Sequence, residues 1–339
     1  MTFENGDFAI RAGNAARRRL LRLAVACAAV CAGFASAWAD EYPSKPVRMI
    51  VPWPAGGSSD SAGRIVAERL GAELKTNIII DNRGGAGGRI GVRAGLQSPP
   101  DGYTMILINS STNVALPVTD PAVGFDPVTS FSLLAPIALV PAVLIAPPAF
   151  PAANLREFIE HAKKNPGKVT YASYGPGSTP HLTTELFAGL AGISLLHVSY
   201  KGGAQAKLDI LAGRVDALFT DFGVLEDIRS GRLKALVTNA PARVPMLPDL
   251  PTALELGFNG FDRVGWHGLA FPAGTPDAMV KRVLVAINSV LGQKDVMDRL
   301  AGVGMTPGGG APAEFAKRIS ADVSSFRDLA KRLDLKFNN

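Results

Sequence analysis

The sequence predicts an α/β fold of two lobes joined by two passages of the chain, and three observations predict it. Its 339 residues, 47% hydrophobic and 19% charged, suffice to bury a core in each of two lobes. Short apolar runs alternate with helically periodic ones across glycine-rich loops, the pattern of strands linked by crossover helices. Two apolar stretches read as extended segments rather than helices: 133–146, broken by Pro136 and Pro141, and 265–271, ended by Pro272-Ala273-Gly274-Thr275-Pro276. Proline forbids a helix there, so these stretches supply the two passages. The 36 glycines and 25 prolines lie scattered between apolar runs, which means many tight loops and not a low-complexity chain.

Residues 47–51 read as a short buried strand. The loop Pro52-Trp53-Pro54-Ala55-Gly56-Gly57-Ser58-Ser59-Asp60 follows, then a helix on the period Ala62, Ile65, Val66, Arg69, Leu70. A strand at 78–80, a glycine loop at 81–88, a helix at 90–96 and a strand at 103–108 ending in Asn109-Ser110-Ser111 continue the series. The second lobe reads as helix 154–164, strand 169–172, loop 173–180, helix 181–191, strand 195–200, helix 203–211, strand 217–220, a short helix near 224–229 and strand 233–238. Helices at 277–291, 295–301 and 312–333 finish the chain. Such alternation implies parallel strands. The boundaries expected are 40–139 plus 270–339 for the first lobe and 140–269 for the second, after a cleaved segment at 1–39.

That segment carries Arg17, Arg18, Arg19 and Arg22, an apolar run from 23 to 34 too short to span a bilayer, and Ala37-Trp38-Ala39 before Asp40. Basic region, apolar region and small-x-small site are the signature of an export signal cut after Ala39; the arginines also approach a twin-arginine signal, so the route stays open. Cys27 and Cys31 both fall inside it, which leaves the mature chain without thiol chemistry. Removing five arginines, Glu4 and Asp7 from 35 basic and 29 acidic residues leaves 30 against 27. With no basic run interleaved with aromatics, nucleic acid is excluded as a partner.

Ligands of open parallel sheets gather beyond the carboxyl ends of strands. The loops 52–60 and 173–181 place backbone N–H groups and the hydroxyls of Ser58, Ser59, Ser178 and Thr179 at helix N-termini, which are ready anion sites. Asp60 reads equally as a helix cap. Asp221 ends a strand and reads either as a cleft residue selecting a donor group on the ligand or as a turn cap. The loop Gly84-Gly85-Ala86-Gly87-Gly88 lacks dinucleotide spacing and is structural, and no Walker sequence occurs. His161, His181, His197 and His267 show no metal-site spacing, so no metal and no cofactor are expected. No Gly-x-Ser-x-Gly elbow accompanies Ser178 and His181.

Several segments together resemble the tripartite tricarboxylate transporter receptors, the Bug-type solute-binding proteins. They are Tyr42-Pro43-Ser44-Lys45-Pro46-Val47-Arg48; Val51-Pro52 with Gly56-Gly57 and Asp60; Asn82-Arg83 with Gly85-Ala86-Gly87-Gly88; Pro100-Asp101-Gly102-Tyr103-Thr104; Tyr171-Ala172-Ser173; Tyr200-Lys201-Gly202-Gly203; and Ala273-Gly274-Thr275-Pro276. The series runs in order through the whole mature chain. The resemblance implies a type II periplasmic-binding fold whose two lobes close on a small carboxylate. It implies first-lobe contacts from Ala55, Gly57, Ser58 and Asp60, and second-lobe contacts from Gly177, Ser178, Thr179 and His181. Trp53, Gly56, Ser110 and Asp221 complete the candidate set. Trp53 stands where the family usually has Phe, Thr179-Pro180 where it has Ser-Gly, and Asp221-Phe222 where it has Asp-Asn. The expected role is that of a non-catalytic, monomeric periplasmic receptor that hands its ligand to a membrane permease of one small and one large subunit. The alternatives are a periplasmic sensor subunit and an exported Ser/His hydrolase.

Overall fold

A computed structural model describes residues 42–120, 123–200, 202–261 and 264–332. The export signal expected at 1–39 lies outside the described residues. The chain builds two sheets. The first contains β1 (Val47–Val51), β2 (Ile78–Asn82), β3 (Thr104–Asn109), β4 (Phe131–Val140), β10 (Gly265–Pro272) and β11 (Thr306–Pro307), in the order β11-β4-β10-β3-β1-β2. The second contains β5 (Val143–Ala146), β6 (Thr170–Ser173), β7 (Leu196–Ser199), β8 (Ala217–Thr220) and β9 (Lys234–Thr238), in the order β7-β6-β8-β5-β9.

The expectation of parallel strands needs correction. β1 pairs in parallel with β2 and β3, as β6 does with β7 and β8, but β10 is antiparallel to both β3 and β4, and β5 to both β8 and β9. A parallel neighbour requires a crossover that carries the chain back to the same end of the sheet. β5 and β10 instead arrive from the other sheet with no returning helix, so they insert against the local direction. The first passage occupies only Pro141 and Ala142, between β4 and β5; the second falls at 261–264, where 262 and 263 are outside the described residues.

Helices cover both faces. α1 (Ser58–Glu73), α2 (Arg89–Leu96), α7 (Asp277–Leu291), α8 (Lys294–Gly302) and α9 (Pro312–Arg332) belong with the first sheet; α3 (Leu155–Lys164), α4 (Thr179–Ala191), α5 (Gly203–Leu211) and α6 (Leu225–Arg229) belong with the second. α3 starts on a capping box: Asn154 accepts from the Glu157 N–H at 3.0 Å, and the Glu157 carboxylate accepts from the Ala153 N–H at 2.7 Å, which satisfies donors the helix cannot. The central strands β5 and β8 of the second sheet are buried at every position because they are covered on both faces. Leu144, Tyr171, Ala217 and Phe219 point into a core with Phe158, Phe187 and Phe261, while Val143, Ile145, Ala172 and Leu218 point into another with Ile210 and Phe222. In the first sheet Ile106, Ile108 and Ala270 pack with Trp266 and Phe315, whose rings meet edge to face at 4.8 Å. Among the described residues no helix is long and apolar enough to cross a membrane.

Candidate functional site

α1 starts on Gly57, which has no side chain to cap its first turn. The N–H groups there remain available to an outside acceptor. The preceding loop is braced from within by Asp60, which is 4% exposed. Its carboxylate accepts from the Gly56 N–H at 2.9 Å, Arg64 Nε at 2.9 Å and Asn82 Nδ2 at 3.0 Å. Burial works against the charged form, but the hydrogen bonds from Arg64, Gly56 and Asn82 outweigh it and hold the carboxyl below its usual range. Three internal partners make Asp60 the brace of the loop. The glycine loop after β2 clamps the same turn from outside: a Cβ on Gly91 would lie 2.5 Å from Pro52 Cα, and one on Gly84 3.0 Å from Pro54. Trp53 lies across Gly88, and its indole N–H is buried with no hydrogen-bond partner among the described residues. Ala55 is exposed at the tip of the turn.

The second loop is also organised internally. Ser178, the residue before α4, donates its hydroxyl to the Gly175 carbonyl at 2.7 Å, and it leaves the first turn of α4 without a side-chain cap. The Gly177 N–H donates to His181 Nδ1 at 2.9 Å. His181 is 5% exposed and stacks on His197 at 4.2 Å, with the Tyr171 ring 4.9 Å from His197 and 6.3 Å from His181. His197 in turn bonds Ser173 Oγ at 2.6 Å. Burial lowers the pKa of both imidazoles; in His197 the neighbouring His181 adds to it, and the group is pushed down to about 4. A neutral His181 that accepts at Nδ1 carries its proton on Nε2. The Gly177 N–H and His181 Nδ1 are thus engaged in shaping the loop, and among the described residues Ser178 Oγ pairs with the Gly175 carbonyl and not with His181, as a nucleophile and base must pair.

Where the two sheets approach, Ser111 Oγ lies 3.1 Å from Thr179 Oγ1. The Ser58 hydroxyl acts on the Asp221 carboxylate, which also accepts from the Gly223 N–H at 3.0 Å. Burial raises the pKa of Asp221 against the opposing help of Gly223, Ser58 and Lys207. Ser110 Oγ accepts from the Trp266 N–H at 3.0 Å, beside the second passage. Sequence reasoning missed the residues beneath Ser58: its Oγ lies 2.8 Å from His267 Nε2, with Ser59 and Asn109 behind. The one available signal was a histidine in the middle of an otherwise apolar strand. Ser58 and His267 have nucleophile–base spacing, but no carboxylate orients the ring and burial pushes it down to about 4, which makes it a weak base at neutral pH. A cavity of about 380 Å³ takes in Ser110 and Thr179, together with Leu182, Phe261, Phe326 and Leu329, and none of the 52–60 turn. Ser110 and Thr179 therefore share one cavity, and Ser58 faces Asp221 outside it, with Trp53 and Gly57 on the turn that carries Ser58.

Two mixed sheets joined by two passages, with uncapped helix starts at the boundary between them, define a periplasmic solute-binding protein. The chain belongs to the tripartite tricarboxylate transporter receptor family, matching the Tripartite tricarboxylate transporter family receptor over residues 62–335. It is 34% identical over 300 residues to the protein BugT of Bordetella pertussis, covering 88% of this chain and 92% of that one. Among solved structures, an R. palustris protein with adipate aligns with TM-score 0.78 and 30% identity, over 86% of this chain and 97% of its own. MatC from Rhodopseudomonas palustris with bound malate aligns with TM-score 0.74 and 29% identity, over 85% and 99%. The family is one of substrate-binding receptors and not of enzymes.

Proposed function

We propose that this receptor captures a small carboxylate between its two lobes and delivers it in the periplasm to a tripartite tricarboxylate-type permease with one small and one large membrane subunit. The observation that carries the reading is the pair of uncapped helix starts, at Ser58 and Thr179, brought to one boundary with the orphaned indole N–H of Trp53 beside them. Helix N-termini carry partial positive charge and free N–H donors, so they favour an anion. Ser58, Ser59 and Thr179 supply further donors. Asp221, facing Ser58, favours a ligand that also carries a hydroxyl or amino donor, as malate does and adipate does not. Adipate and malate in the related structures support the carboxylate class.

Closure about the passages at 141–142 and 261–264 adds contacts from the second lobe that the open form lacks, and that difference drives it. The reading is tested by a thermal-shift screen of the chain lacking residues 1–39, unfolded and refolded to strip any carried-over ligand. Small carboxylates and their amides form the panel, since a ligand specific to the folded state raises Tm by mass action. A reproducible rise with hydroxylated dicarboxylates and none with the corresponding diamides is the expected result; a folded chain unmoved by any carboxylate contradicts it. Capture of two membrane subunits from native membranes by the ligand-loaded chain tests the permease, and capture of a signalling partner instead would make it a sensor.

A further inference from the structure

Beneath Ser58 lies a buried row of polar groups that ligand contact alone does not require. Asn109 ends β3 and stands opposite His267 of β10 in the antiparallel register, so their side chains emerge on one face of the sheet, under the first turn of α1. Asn109, Ser59 and His267 are 5%, 6% and 6% exposed. Buried polar groups at such cost are normally fully hydrogen-bonded, and the direction of each bond can be worked out from the donor and acceptor inventory.

The direction is set at Asn109. Its Oδ1 accepts from the Thr112 N–H at 2.9 Å, which fixes the amide orientation and makes Nδ2 the atom that donates to Ser59 Oγ at 3.1 Å. Ser59, having accepted, turns its own proton to His267 Nδ1 at 3.4 Å. Burial keeps the imidazole neutral, and a neutral ring that accepts at Nδ1 holds its proton on Nε2. Nε2 then donates to Ser58 Oγ at 2.8 Å. The Ser58 proton is thereby left to point outward, on the side where the Asp221 carboxylate senses it. The reverse direction would set two donors on Ser59 Oγ and leave its buried proton without an acceptor among the described groups.

We propose that His267 is a positioning residue: the one-way series Asn109, Ser59, His267, Ser58 holds the Ser58 hydroxyl as a hydrogen-bond donor into the interlobe space, which favours ligands presenting an acceptor there. The selection of a carboxylate rests on the function proposed above; the hydrogen-bond direction does not. With Nε2 donating to one lone pair of Ser58 Oγ, the hydroxyl proton is the group left directed at a ligand, so an acceptor placed there gains a hydrogen bond from an already oriented donor.

Two experiments test this separately from carboxylate binding. In the ¹⁵N-histidine-labelled wild-type chain at pH 7, with the His267 signals assigned by their loss in H267Q, the imidazole is expected to be neutral and protonated on Nε2 alone. A ring protonated on Nδ1, or on both nitrogens, overturns the series whatever the protein binds. With malate as probe, H267L is expected to weaken binding about tenfold, H267Q to retain binding within about threefold because its amide can donate to Ser58, and H267L in an S58A background to add almost no further loss. An equal additional loss in the S58A background would mean that His267 acts through general packing and contradicts the proposal. If wild-type protein ignores malate while the tautomer is as stated, the carboxylate reading has failed and the series stands.

Discussion

Asp60 and His181 perform the same task in opposite lobes, each holding a glycine turn by accepting a backbone N–H four residues back, Gly56 for one and Gly177 for the other. Replacing Asp60 with Ala leaves Arg64, Asn82 and the Gly56 N–H without their partner, and one buried hydrogen-bond donor left unsatisfied costs about 1–3 kcal/mol. D60A is expected to lower stability by about 2–4 kcal/mol, read as a lower urea midpoint at unchanged slope, with malate affinity reduced as the turn loosens; an unchanged midpoint would show that the brace is dispensable. The buried histidines predict a pH dependence. His197 and His267 are pushed down to about 4 in the folded chain, against roughly 6.5 unfolded. Between those values the unfolded chain binds protons that the folded chain does not, so stability is full above about pH 6.5 and falls as the pH drops toward 4. A depression of this size corresponds to ~3 kcal/mol for the fully buried His267 and to less for His197, which is only partly buried. Urea unfolding at pH 7 and pH 5 is expected to show the loss, and H267Q to flatten it; equal slopes in wild type and H267Q would contradict the assignment.

Two glycines show what the elements demand of the chain. Gly91 opens α2 against the first turn, where a Cβ would meet Pro52 Cα at 2.5 Å and the Arg83 carbonyl at 2.6 Å. Gly304, after α8, has φ +81° and lies under Phe222 of the other lobe, so close that a Cβ would fall 2.3 Å from Phe222 Cβ. Adding a methyl at Gly304 should hold the lobes apart at that edge. G304A is expected to weaken malate binding severalfold and enlarge the solution radius of gyration of the loaded chain. G302A, where a Cβ meets nothing within 4 Å, is expected to change neither. Most helices and strands could be placed from the sequence because period and punctuation agree, as at 203–211 and 277–291. The antiparallel insertion of β5 and β10 was not legible, since periodicity reports which residues are buried and says nothing of strand direction. The π-helical turn Ser111–Ala115, which brings Ser111 to Thr179, left no pattern either. At the site, the loops and Ser58 were legible from glycine punctuation ahead of a helix, whereas His267 and Asn109 were hidden because residues 158 positions apart meet only through strand pairing.

In the molecule as a whole, the two short passages leave the lobes few covalent constraints, while Ser111 with Thr179 and Gly304 with Phe222 mark two places where they touch and Ser58 faces Asp221. Ala115, Leu182 and Leu329 form a further small apolar contact between them. These are small contacts, and under the proposed function a ligand bridging the two helix starts adds what they lack. The most direct test of that central claim is a crystal structure of the chain grown with malate. The account predicts one carboxylate group of the ligand within hydrogen-bond distance of the backbone N–H groups of Ser58 to Asp60, with the Ser58 hydroxyl donating to it and Thr179 closing from the other lobe. Malate lodged instead in the cavity walled by Leu182, Phe261 and Leu329, with the first turn of α1 left to water, would contradict it.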